Sequence, residues 1–165
     1  MQAQIAQAQE ACVVQQDLTD AVIYAMPVLA DAFDTACSAE LAPDGFFATQ
    51  RQEFIAPYAA LGDETWPGAS RVLNTFVTAG STGENGMPGL AEIFGNQSPE
   101  TVRPFIDAML GTMVVSEIKP KDCGKIERGL ELMAPLPPEN MGGLVTFLMD
   151  MAEVKNPRIC PLEGE

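Results

Sequence analysis

Four cysteines, Cys12, Cys37, Cys123 and Cys160, are the residues of this chain best equipped for covalent chemistry, and their spacing decides which kind. No two lie close enough for a Cys-x-x-Cys pair, so neither a zinc site nor a thioredoxin-like dithiol is signalled. An even number of scattered cysteines fits two disulfides, and with them an oxidising compartment. The alternative, in a reducing cytosol, is four buried thiols.

The chain has no histidine. That removes the commonest general base near neutral pH and the commonest metal ligand, and so excludes serine triads, zinc proteases and His-ligated haem. Acid–base work would fall to carboxylates. Asp31 with Asp34, Asp63 with Glu64, and Glu127 with Glu131 stand at spacings that permit it, but such pairs arise freely among 23 acidic residues. Glu127 and Glu131 also share a helix with Lys125 and Arg128, where surface ion pairing is the simpler account. No segment has the spacing of a calcium loop.

Nine methionines offer thioethers to Cu(I), yet Met109, Met113, Met141 and Met149 fall on apolar helical stripes, where packing accounts for them. The glycine-rich run 80–97 lacks the Gly-Lys-Ser/Thr of a phosphate loop and carries Glu84, so a surface loop is expected. No cofactor is expected.

The formal charge is −14. It argues against nucleic acid and anionic lipid as partners and favours a cationic one. Residues 1–118 hold fifteen acids and three bases, whereas 119–165 hold eight acids and six bases. Lys119, Lys121, Lys125 and Arg128 open one expected helix and Lys155 and Arg158 follow the last, so an antiparallel hairpin would gather six cations at one end. Lys119, Lys121 and Arg158 are therefore candidates for a partner surface, as are Trp66 and Phe46, whose neighbours Phe47 and Tyr58 make an aromatic group. The plainer readings are hydration of that end and a core position for Trp66.

The elements that would position these residues are helices. Met141, Leu144, Val145, Leu148, Met149 and Ala152 repeat at i, i+3, i+4, i+7, i+8 and i+11, after Pro137-Pro138 and before Asn156-Pro157. Val102, Phe105, Ile106, Met109, Leu110 and Met113 form a second stripe, capped by Ser98 with Pro99 at the first helical position and bent at Pro104. Ile126, Leu130 and Met133 mark a helix between them. Ala69, Val72, Leu73, Phe76 and Val77 mark another, ending at Gly80, and Phe47, Phe54, Ile55, Tyr58 and Leu61 one more, interrupted at Pro57. A short helix is expected around Leu90–Phe94. Residues 3–41 read as one long helix or two, with a break near Asp17 or a kink at Pro27.

The expected architecture is all-α: a compact single-domain bundle of about six helices over 1–165, closing in a C-terminal antiparallel helical hairpin, with an irregular loop at about 80–97 and no sheet. The hairpin would set Cys123 beside Cys160, which makes that the favoured disulfide. Cys12–Cys37 follows by elimination and requires residues 3–41 to break, because along a straight helix the two would lie about 37 Å apart.

No stretch is long enough to span a membrane, since Ala21–Ala30 falls well short of about 20 residues, and no export signal is visible. The cysteine count nevertheless points to a periplasmic or secreted protein, with a cytoplasmic one as the alternative. The expected function is a disulfide-stabilised binding module for a protein or a small apolar ligand. A carboxylate-dependent hydrolase or lyase, and a structural subunit of an envelope assembly, are the rivals.

Overall fold

A computed structural model describes residues 12–80, 92, 95–155 and 158–162, excluding the side chains of 78–80. Most of the glycine-rich run, the expected helix around Leu90–Phe94, the start of the N-terminal segment and Asn156-Pro157 lie outside these. Six helices make up the described bundle: α1 (Gln15–Cys37), α2 (Phe46–Ala60), α3 (Gly62–Gly80), α4 (Pro99–Glu117), α5 (Cys123–Met133) and α6 (Pro138–Met151). The chain is all-α, with one minor exception to the expected absence of sheet. Strands β1 (Cys12–Val13) and β2 (Arg158–Ile159) pair in parallel, Cys12 opposite Arg158 and Val13 opposite Ile159.

Helix α1 is the axis. It is a single helix of 23 residues, roughly 34 Å long at 1.5 Å per residue, and only Gln16, Asp31 and Thr35 within it are exposed. Helices α2, α3, α4 and α6 all pack on it. Its small Ala side chains permit close approach. Where α1 meets α3, a Cβ on Gly68 would come within 2.4 Å of the Asp20 side chain, and where it meets α6, a Cβ on Gly142 would lie 2.8 Å from the Thr19 carbonyl oxygen.

The last two helices contact α1 in reverse order along its length. Ile126 and Leu130 of α5 pack with Ala30, Phe33 and Cys37. Leu130, Met133, Met141 and Val145, on either side of the Pro-rich turn, pack with Ile23 and Met26. Thr146 of α6 meets Thr19, hydroxyl to hydroxyl at 3.1 Å, and Met149 reaches the cluster of Val13, Leu18, Val72 and Ile159. The expected short turn is present, but α5 and α6 lie in series along α1 rather than folded back on one another.

That placement corrects the disulfides. The bonds are Cys12–Cys160 and Cys37–Cys123, not Cys123–Cys160 and Cys12–Cys37. Because α1 is unbroken at Asp17 and continues through Pro27, Cys12 and Cys37 stand at its two ends, beyond reach of each other. Cys123 arrives at one end with the start of α5, and Cys160 at the other with the strand after α6.

Several local expectations hold. Ser98 caps α4, its hydroxyl accepting from the Thr101 N–H at 3.4 Å, and Pro138 occupies the first turn of α6. The end of α6 is less orthodox. Glu153 N–H donates to the Asp150 carbonyl and Val154 N–H to that of Met149, at 2.9 and 3.3 Å, a Schellman closure. It puts Glu153 at φ 50°, where glycine is usual.

Candidate interaction face on the last helix

Trp66 does not form a surface. It is 2% exposed and packs with Tyr24 and Ala69, so its role is the core position. Phe46 is half-buried against the Phe54 and Tyr58 cluster. Lys119 and Lys121 are exposed beside the turn leading into α5. Arg158 is exposed too, but it lies opposite Cys12 at the far end of α1. The six cations are therefore split between the two ends instead of gathered, as the serial placement of α5 and α6 requires.

The carboxylate pairs have other duties. Asp31 and Asp34 both bind Arg51 of α2. Asp63 pairs with Arg103 at 2.7 Å and Glu131 with Arg128 at 2.7 Å. Glu127, expected to serve a surface ion pair, instead accepts the Phe47 N–H at 2.9 Å and so caps α2 across 80 residues of chain. Gly45 at the N-cap offers no side-chain oxygen, and a Cβ there would stand 2.7 Å from the Glu127 carboxylate. Among the described residues, no three Cys, Asp or Glu side chains converge as metal ligands would.

A polar clamp holds α4 to α1 and α3. Tyr24 donates to Asp107 at 2.6 Å and accepts from Arg103 Nε at 3.0 Å, while the Arg103 guanidinium lies over the Tyr24 and Trp66 rings at 5.2 and 5.5 Å. Burial, reinforced by the hydrogen bond to Asp107, pushes the Tyr24 hydroxyl up to about 12. Hydrogen bonds to Asp63 and Tyr24 raise Arg103. The Tyr24 hydroxyl, the Asp107 carboxylate and the Arg103 guanidinium are committed to holding helices together.

Two clefts of about 230 Å³ flank α3. One is lined by Cys12, Asp17, Arg71 and Thr75, the other by Ser70, Arg71, Gln97 and Pro99. Both are below the roughly 300 Å³ at which small-ligand sites begin, and the Asp17–Arg71 ion pair at 2.6 Å sits in the first.

The outer side of α6 is different. The core stripe expected there includes Leu144 and Leu148, but these are 43% and 53% exposed. With Phe147 at 56% and Met151 at 66%, they form an outward line at i, i+3, i+4 and i+7. The seated face is Met141, Gly142, Val145, Thr146 and Met149. Thus α6 is apolar on two sides and, among the described residues, has a partner on one. Other exposed large apolar residues, such as Phe76, Phe105 and Leu132, belong to separate helices, and scattered ones need no explanation. Four on adjacent turns form a contiguous apolar line, the arrangement from which an interaction site is built.

Within the segment that forms α6 the charge is of one sign. From Gly129 to Val154 there is no Lys or Arg, while Glu131, Glu139, Asp150 and Glu153 fall within that span. At 100° per residue, Glu139, Gly143 and Asp150 share one edge of the outward line. The signal for this face was present in the sequence as Phe147 and Met151, which fall outside the expected core stripe. No helix among the described residues is long and apolar enough to cross a membrane. No protein-family model, curated protein or solved structure matches the chain.

Proposed function

We propose that the protein is an exported helical binding module, braced by two disulfides, that holds a protein partner against the outer face of α6. The observation carrying this reading is the line Leu144, Phe147, Leu148 and Met151, exposed side by side on a helix whose opposite face is already seated. A folded domain leaves such a line in water only at a cost that burial against a partner recovers. The shallow clefts favour a protein over a small apolar ligand held inside. Disulfides persist in oxidising compartments, which supports export.

Site-specific photocrosslinking in the native host tests it. A photoreactive residue at Phe147 is expected to give one dominant adduct with another protein, and the same residue at exposed Gln52 of α2 none. Equal labelling from both positions, or none from Phe147, would refute the reading. An adduct with several identical neighbours in an envelope array would turn it into that of a structural subunit.

A further inference from the structure

The chemistry of the α6 face specifies its occupant. We infer that it accepts a cationic amphipathic helix, a protein segment whose apolar stripe is bordered by Lys or Arg; this rests on the binding reading above. The shape comes first. Leu144 to Met151 spans eight residues, a ridge roughly 10 Å long, and the ridges of a second helix can pack beside it at about 8–10 Å between axes. Gly143 stands at the edge of that ridge, and nothing lies within 4 Å of where its Cβ would be. That gap lets a partner side chain approach the backbone of α6.

Charge then selects among helices. Glu139 and Asp150 stand three turns apart on the same edge as Gly143, and no cation interrupts the span from Gly129 to Val154. Cations flanking the partner's stripe meet carboxylates there, whereas an acidic helix meets only repulsion. The same arrangement disfavours a second copy of this chain. A second copy would bring together two molecules of −14 each. Nucleic acid and anionic lipid are disfavoured by the same sign.

The test uses the full-length oxidised protein and three synthetic peptides: a Leu/Lys amphipathic helix, its Leu/Glu counterpart, and a scramble of the Leu/Lys peptide with no apolar face. Calorimetric titration is expected to show the Leu/Lys helix binding at least about tenfold tighter than either other peptide. F147S and L148S, which change only exposed side chains, are each expected to weaken it by about fivefold or more. The double variant E139Q/D150N is expected to weaken it by about threefold and to flatten its salt dependence. Equal affinity for the scramble would mean polyelectrolyte attraction alone, and equal affinity for the Leu/Glu helix would mean no charge selection. Either overturns the inference, as does binding by none of the peptides. Dimerisation in light scattering that F147S abolishes would make the occupant a second copy. In each case the crosslink at Phe147 reports separately whether the face binds a protein at all.

Discussion

Two adjacent glycines of α6 should respond in opposite ways to the same substitution. Alanine in place of an interior helical glycine gains about 1 kcal/mol of helix propensity. At Gly143 nothing lies within 4 Å of the new methyl, so the gain stands alone and Tm should rise by about 2–4 °C for a domain of this size. At Gly142 the methyl would meet Thr19 Cγ2 and the Thr19 carbonyl oxygen, both at 2.8 Å, and Ile23 Cγ1 at 3.2 Å. The carbonyl belongs to α1 and cannot rotate away, so α6 must lift. Overpacking of this kind costs about 1–3 kcal/mol, and with a backbone atom in the way the upper figure applies. The net is a loss of about 2 kcal/mol and a fall in Tm of about 4–8 °C. Thermal unfolding followed by far-ultraviolet circular dichroism and by the fluorescence of Trp66, the single tryptophan, measures both. Adding Thr19→Ser removes one of the two closest contacts and should restore part of the loss. Shifts of the same sign for the two alanine variants, or no effect of Thr19→Ser on Gly142→Ala, would refute the seating of α6 on Thr19.

Glu127→Ala should lower stability by about 1–2 kcal/mol, because the Phe47 N–H at the start of α2 loses its acceptor; Glu127→Gln should recover most of it, and denaturant unfolding reads both. The chain has two tyrosines, and burial raises both Tyr24 and Tyr58 above the ordinary value of 10, Tyr24 to about 12. Each favours its neutral form in the folded state, so its contribution is complete below pH 10 and is lost as pH climbs through its raised value, about 12 for Tyr24. Absorbance titration should therefore show tyrosinate forming late and together with unfolding. Finally, a dithiol applied to the native protein should open Cys12–Cys160, whose residues are half-buried, before Cys37–Cys123, whose residues are 0% and 1% exposed. Alkylation with mass mapping reads the order, and simultaneous opening would contradict it.

The partial legibility of the candidate face has a physical origin. A 3.6-residue repeat reports that a helix side is apolar, not that anything covers it. Met141 and Leu144 are equal members of the stripe read from sequence; the first is 1% exposed and the second 43%. What separates them is the position of α1, more than a hundred residues away. Phe105 and Met113 of α4 depart from their expected burial in the same manner, while Val102 and Ile106 on the same helix keep it. Glu127 was unreadable as a cap for another reason. Its acceptor role depends on where the N-terminus of α2 arrives, and Gly45 gives no local hint that a cap is missing.

Local chemistry was determined by the sequence alone. Prolines and Ser98 set where α4 and α6 begin, apolar periodicity made the chain helical, and the cysteine count announced two bonds, because each of these effects acts within a turn or two of the residue responsible. Which cysteines join, which cations gather and which side of α6 stays in water were decided only by the tertiary structure. All three follow from how distant surfaces pack: α5 seats on α2 and the Cys37 end of α1, and α6 seats on α1, carrying Cys123 to one end of α1 and Cys160 to the other, and leaving the far side of α6 with no helix to cover it among the described residues.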